Sequence, residues 1–132
     1  MTRINVVPPS ELTGKHLVAE YRELPRVFAL ARAASERNEI NPPLTYTMGK
    51  GHVKFFYDKV SYLAKRQQAL VEEMKIRGYK PQYDADPARL MSAIPPHLRN
   101  DWQPTPEALA VNRARIAERM KPKIKPKKSS SA

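Results

Sequence analysis

Residues 53–78 read VKFFYDKVSYLAKRQQALVEEMKIRG, and apolar side chains recur in this stretch every three or four positions. Because a helix turns by about 100° per residue, this spacing places them on one face. The stripe consists of Val53, Phe56, Val60, Leu63, Leu70, Val71 and Met74. Gly78 follows it, and glycine is common just beyond a helix end. The stretch therefore predicts a long amphipathic helix with one face in a core.

A second helix is predicted upstream, from about residue 13 to residue 37. Its apolar stripe consists of Leu17, Tyr21, Leu24, Phe28 and Ala31. Pro25 lies within the pattern and removes a backbone donor, so we expect a bend, not a break, because the spacing continues past it. Residues 38–51 contain two prolines and two glycines and predict a connecting loop. The sequence GKGH at its end favours a turn leading into a helix over an anion-binding turn.

Downstream, the proline-rich residues 79–104 predict an irregular strap over the core. Thr105 and Pro106 supply an N-cap and a first-turn proline for a third helix, which runs to about Met120. Residues 121–132 contain Lys, Pro and Ser and are expected to be mobile. No strand alternation is present. We expect an all-α fold: a single compact domain of about three helices with irregular connecting loops over residues 1–120, followed by a basic tail.

Composition narrows the function classes. A chain of 132 residues is too short for separate catalytic and binding domains, and the absence of cysteine excludes disulfides, thiolate catalysis and cysteine-based zinc sites. No apolar run approaches the roughly 18 residues of a membrane span, and no secretory signal is apparent, so we expect a cytoplasmic protein. The net charge of +11 indicates a polyanionic partner. Residues 113–132 carry +7 of it, so a nucleic-acid function must rest on the first 112 residues.

The polar face of the first predicted helix carries the candidate chemistry. Helical geometry places three cations, one carboxylate and one imidazole opposite the core, with Ala19 leaving a gap among them: Lys15, Arg22, Arg26, Glu23 and His16. Such a face is more often a solvated surface with mutual salt bridges. It also has the composition of a phosphate-clamping site with one acid/base group.

Two further kinds of chemistry can be weighed from the residues. A metal site built from His16, Glu20 and Glu23 is disfavoured because the adjacent arginines would repel a cation. A nitrogen nucleophile could be a lysine or the chain terminus. The α-amine has a pKa near 8 against about 10.4 for lysine, so more of it is free base at neutral pH. Thr2 is small enough for removal of the initiator Met, which would expose that amine.

Three segments of the chain resemble the pyrimidine-dimer DNA glycosylase family, the dimer-specific endonuclease V type of phages and viruses. The first comprises MTRIN at residues 1–5, SEL at 10–12, HL at 16–17 and AEYRELPRVF at 19–28. The second comprises GHVKFFYDK at residues 51–59 and KRQ at 65–67, and a weaker third lies at residues 114–116. The resemblance extends to about residue 120.

The resemblance implies a DNA-repair N-glycosylase with abasic-site lyase activity on UV-damaged double-stranded DNA, working as a monomer without metal or cofactor. It makes the α-amine of Thr2 the nucleophile that forms a Schiff base and Glu23 the essential carboxylate. It also implies DNA contacts by Arg3, His16, Arg22, Arg26, Gln67, Arg115 and Arg119.

One departure from the family concerns the end of the chain. Relatives with the best-defined dimer preference end in a tail rich in Trp and Tyr, whereas nothing aromatic follows Trp102 here. The resemblance therefore leaves the choice of lesion open. The alternative from another class is a non-catalytic architectural or RNA-binding helical protein, which would use the same basic faces without a free N-terminus.

Overall fold

A computed structural model describes residues 3–82 and 86–120, apart from the side chain of Pro87. The predicted nucleophile Thr2 and the predicted tail of residues 121–132 lie outside the described residues. Within them the chain forms α1 (Gly14–Glu23), α2 (Pro25–Glu36), α3 (Val60–Ile76), α4 (Pro87–Met91) and α5 (Pro106–Met120), with 3-10 turns at Pro9–Glu11, Lys54–Phe56 and Pro96–Leu98. The all-α, single-domain prediction is confirmed, with two more helices than the three expected.

The first predicted helix divides in two at Leu24. Pro25 has no N–H, so the ladder of hydrogen bonds is interrupted, and Val27 N instead donates to Leu24 O at 2.9 Å. Leu24 keeps a helical backbone (φ −56°, ψ −42°) and donates to Glu20 O. The expectation of one bent helix was wrong in this respect. The apolar stripe was right, since all five of its side chains are buried in the core.

The helix predicted over residues 53–78 begins as an α-helix only at Val60. The turn Lys54–Phe56 precedes it and buries both of its phenylalanines. The C-terminal end of this helix is as predicted. Gly78 has φ 84°, its N–H donates to Lys75 O at 3.0 Å, and Tyr79 N donates to Met74 O at 2.8 Å. This pattern of paired bonds around a left-handed glycine satisfies the last carbonyls of the helix.

The proline-rich strap covers the core, as expected, but includes α4 and a 3-10 turn. It contributes buried Ile94 and Leu98, and Trp102 packs against the rings of Tyr46, Phe55, Phe56 and Tyr62. The third predicted helix is confirmed as α5, and Thr105 Oγ1 caps it by accepting from Ala108 N at 3.0 Å. Over the described ranges, no helix combines the length and apolar character needed to cross a bilayer.

Candidate active site

A cleft of about 440 Å³ opens where the N-terminal segment, residues 3–7, meets α1, α5 and the loop before α3. The N-terminal segment contributes Arg3 and Asn5, and α5 contributes Arg115, Ile116 and Arg119. Helix α1 contributes Lys15, His16, Ala19, Glu20 and Glu23. The gap expected at Ala19 is therefore part of a real cavity.

Five of the predicted site residues share this cleft: Arg3, His16, Glu23, Arg115 and Arg119. They come from three segments that are far apart in the sequence. Arg22 near the end of α1 and Arg26 in the first turn of α2 are exposed but do not line the cleft. Arg26 nevertheless reaches its edge, because its Nη1 atom lies 3.1 Å from Glu23 Oε1.

Gln67 lies elsewhere. Its side chain is buried on α3, and Nε2 donates to Tyr21 O at 3.1 Å. A side chain so placed does not reach a phosphate on the protein surface. Gln67 does not line the cleft, and its amide instead makes a hydrogen bond between α3 and α1.

The cleft is strongly cationic. Burial lowers the pKa of Arg3, and the neighbouring charges of Arg119 and Arg115 lower it further. The pKa of His16 is also lowered, first by burial and then by Arg3, Lys15 and Arg119. His16 is therefore neutral at physiological pH. Cations that repel one another in this way favour the binding of an anion such as a phosphate group.

The imidazole of His16 offers a second sign of a ligand site. Its Nδ1 atom is buried and makes no hydrogen bond to any part of the chain that the structure describes. Buried polar atoms are nearly always paired in folded proteins. This nitrogen is shielded from solvent, so it marks an unsatisfied polar position in the wall of the cleft.

The N-terminal segment is fixed at the cleft by buried polar contacts. Ile4 N donates to His52 Nε2 at 2.8 Å, and Ile4 O accepts from Tyr46 Oη at 2.9 Å. Asn112 of α5 accepts from Val6 N at 2.6 Å and from Val7 N at 3.1 Å through one oxygen. Its amide also donates to Asn5 Oδ1 at 2.8 Å. Every residue from 4 to 7 is thus held by its neighbours.

A buried ion pair completes this network. Arg66 Nε lies 2.8 Å from Glu20 Oε2, and Nη2 lies 3.1 Å from Oε1. Asn5 Nδ2 donates to the same carboxylate at 2.9 Å, and Arg66 Nη1 donates to Val7 O. Burial opposes the charge of Arg66, but Glu20 outweighs it and raises the arginine pKa. Glu20, considered above as a metal ligand, is therefore committed to the core.

Sequence reasoning missed the residues that hold this segment: Asn5, Tyr46, His52, Arg66 and Asn112. The contacts join positions as far as 107 apart in the chain, which no local pattern shows. One signal was present. Asn112 lies four residues from both Ala108 and Ile116, on the buried face of α5. A polar residue on an apolar helix face is buried only if its amide is hydrogen-bonded, and it therefore indicates a specific partner.

Comparison with known families shows to which family the sequence belongs. The sequence model of the family described as pyrimidine dimer DNA glycosylase matches residues 1–87. The matched range includes the N-terminal segment, α1 and the loop that carries His52, and it ends before α5. The match spans well over half of the chain, so the protein belongs to the pyrimidine dimer DNA glycosylase family of DNA-repair enzymes.

Proposed function

We propose that this family member removes a damaged pyrimidine from UV-irradiated double-stranded DNA and then cuts the strand at the resulting site, with the α-amine of Thr2 as nucleophile. The observation that carries the proposal is the cleft itself. It brings the Glu23 carboxylate together with cations from α1 and α5 beside Arg3. Arg3 is the chain neighbour of Thr2, so the anchored segment leads directly into the cleft.

The first chemical step is base displacement. The neutral amine attacks C1′ of the damaged nucleotide, a C–N bond forms, and the bond from C1′ to the base breaks as the base leaves with a proton. The Glu23 carboxylate stabilises the positive charge that develops on the sugar. The side chain of Glu23 is 30% exposed in the free protein, which is compatible with access to a nucleotide.

The second step is strand cleavage. Opening of the sugar ring converts the adduct into a protonated imine, which acidifies the hydrogens at C2′. Glu23 accepts one of these hydrogens as a general base, and the bond between C3′ and the phosphate oxygen breaks. Hydrolysis of the imine then returns the free amine. None of these steps requires a metal, so nicking is expected to persist in excess EDTA.

The arginines and His16 bind the DNA backbone in this proposal. Arg3, Arg115 and Arg119 face the cleft and hold the phosphates that flank the reacting sugar. Arg22 and Arg26 extend the cationic surface outside it. The basic residues 121–132 add affinity that depends on salt but contribute nothing to the chemistry. Removing these residues should therefore weaken binding without abolishing the cleavage of saturated enzyme.

Borohydride trapping tests the proposal directly. A duplex with one cyclobutane pyrimidine dimer is incubated with the protein and borohydride, and the covalent adduct is mapped by mass spectrometry. We expect the adduct on the N-terminal peptide, beginning at Thr2. Selective acetylation of the α-amine should abolish both the adduct and nicking.

Lys15 provides the matched control, because it is the one lysine among the described residues that line the cleft. Lys15→Arg keeps the charge but removes the competing amine, and it should still form the adduct. An adduct that disappears in Lys15→Arg and survives acetylation of the terminus would assign the nucleophile to Lys15. A protein that binds dimer-containing DNA without any adduct or nicking would support the non-catalytic alternative.

A further inference from the structure

Residues 46–52 hold the backbone of Ile4 from both sides. The N–H of Ile4 donates to His52 Nε2, and its carbonyl accepts from Tyr46 Oη. Both side chains are buried, and His52 is 1% exposed. Few other groups could replace these partners, since Ile4 itself is fully buried. The direction in which the chain leaves Ile4 toward its terminus therefore depends on these two bonds.

The hydrogen bonds of His52 define its protonation state. Because the backbone N–H of Ile4 is a donor, Nε2 must accept and carries no proton. The other nitrogen, Nδ1, lies 2.8 Å from Thr47 O, an acceptor, so the ring proton is on Nδ1. The two contacts together require the neutral tautomer with hydrogen on Nδ1. A protonated ring would turn an N–H toward the N–H of Ile4 and lose that bond.

The surroundings of His52 favour the same form. The rings of Tyr46 and Phe56 pack edge-on against it, with centroids at 5.4 and 6.0 Å. Burial lowers the pKa of His52; the contact with Thr47 O and the charge of Glu20 oppose this shift, whereas Arg3 and Arg115 reinforce it. Glu20 is itself neutralised by Arg66.

The turn that delivers His52 is built for this placement. Gly49 and Gly51 adopt φ of 76° and 88°, a left-handed backbone region that favours glycine. His52 N closes the turn by donating to Gly49 O at 3.0 Å. Gly49 and His52 both line the cleft. The turn thus brings the imidazole to the point where the N-terminal segment enters the site.

We propose that His52 is a positioning residue for the reaction: in its neutral form it holds Ile4, and through Ile4 it aims the terminal amine of Thr2 at the cleft. The inference rests on the proposed role of that amine. It assigns no DNA contact to His52. Loss of the bond to Ile4 should therefore slow the chemical step much more than it weakens DNA binding, which it affects only through the placement of the neighbouring Arg3.

Two substitutions distinguish loss of the hydrogen bond to Ile4 from loss of the imidazole ring. In His52→Gln the longer amide can place an acceptor near the position of Nε2, whereas the shorter amide of His52→Asn can replace only the donor at Nδ1. Both remove the ring and cost similar packing. We expect His52→Asn to lower the single-turnover rate of borohydride trapping by at least about tenfold, because a small misplacement of a reacting group can cost up to about a hundredfold. His52→Gln should stay within about threefold of the parent, and the Kd of His52→Asn should change far less than its trapping rate, since only the placement of Arg3 connects His52 to the DNA.

The pH profile adds a readout that a purely structural role would not change. Protonation of the amine alone lowers the trapping rate by one factor of ten per pH unit on the acid side. The ordinary pKa of histidine is near 6.5. In the parent, protonation of His52 should make the decline in trapping rate steeper at pH values below that. In His52→Gln the decline should keep the slope of a single proton. Equal profiles in the two proteins would overturn the inference.

Nitrogen NMR of the His52 ring tests the geometry without any activity. The shifts should report hydrogen on Nδ1 at neutral pH, and the amide of Ile4 should be protected from exchange in the parent and exposed in His52→Asn. Hydrogen on Nε2 would overturn the inference. If both hydrogen bonds to Ile4 are present but the parent forms no adduct at its terminus, the proposed function fails, and the positioning role fails with it.

Tyr46→Phe supplies an independent variant if His52→Asn does not fold. It removes the hydroxyl that binds Ile4 O and keeps the aromatic packing. We expect a severalfold loss of trapping rate with a smaller change in Kd. Parent-like trapping in Tyr46→Phe together with equal losses in His52→Gln and His52→Asn would show that ring packing matters and the hold on Ile4 does not, which would overturn the inference.

Discussion

Glu20 and Glu23 lie three residues apart on α1, and both side chains line the same cleft, yet their surroundings differ. The side chain of Glu20 is 1% exposed and forms a two-point ion pair with buried Arg66. That of Glu23 is 30% exposed and lies beside the exposed Arg26. One carboxylate is fixed in the core, and the other is open to the cleft.

The difference shows how one helix can serve the fold and the proposed chemistry together. A buried carboxylate with charged and polar partners is held in one position and has little freedom to exchange protons with a substrate. A partly exposed one can meet a developing positive charge. Helix α1 holds the N-terminal segment through Glu20 and also carries Glu23. The helix therefore fixes the position of Glu23 relative to the N-terminal segment.

The largest effect is expected from Glu23→Gln. This change keeps the shape of the side chain but removes the charge and the base, so nicking of dimer-containing DNA should fall on the order of 10³-fold. The free energy of unfolding should change by less than about 1 kcal/mol, because the contact with Arg26 is a surface pair. Single-turnover nicking and denaturant unfolding measure the two quantities. Parent-like nicking would remove Glu23 from the mechanism.

Glu20→Gln should show the opposite pattern. Removing the charge leaves Arg66 buried without a counterion, which should lower the free energy of unfolding by about 3 kcal/mol. The double variant Glu20→Gln, Arg66→Met removes the stranded charge and should recover part of the loss. Urea unfolding of the single and double variants measures this. An unchanged unfolding midpoint in Glu20→Gln would show that the ion pair does not stabilise the fold.

A smaller effect should separate the arginines inside the cleft from those outside it. Arg115→Gln and Arg119→Gln should each weaken DNA binding by roughly 1–3 kcal/mol for a lost charged hydrogen bond. Each should also reduce the slope of the logarithm of the binding constant against the logarithm of the salt concentration by about one. Arg22→Gln and Arg26→Gln should fall at the low end, about 1 kcal/mol. Fluorescence anisotropy at several salt concentrations is the measurement, and a larger effect outside the cleft would reverse the assignment.

The smallest effect concerns pH and His16. Burial and the nearby cations lower the pKa of His16, so the ring is neutral in the free protein at pH 7. A bound phosphate favours the protonated ring, so affinity should rise by a few-fold as pH falls below about 6.5. His16→Gln cannot gain this proton and should lack that rise. Titrations of both proteins at pH 7.5 and 5.5 measure it, and parallel curves would place His16 away from the DNA.

Particular residues show how far sequence patterns lead. The stripe from Leu17 to Ala31 and the stop at Gly78 follow from helical spacing and backbone preference, and both are confirmed. The break at Leu24 was missed because the apolar spacing gave no sign of how strongly Pro25 disrupts the hydrogen bonds. The α1 face was predicted as one cationic surface, but α5 and the N-terminal segment divide it, placing Lys15 and His16 at the cleft and leaving Arg22 outside.

The sequence by itself determined the helical class, the core faces, the cationic character and the family to which the chain belongs. Those properties depend on spacing, composition and local motifs, which are written in consecutive residues. Only the tertiary structure decided which glutamate is buried, that Gln67 packs inside, and that His52 and Asn112 hold the N-terminal segment. Burial and hydrogen bonding depend on which side chains meet across the fold, and here they join residues from 46 to 107 positions apart.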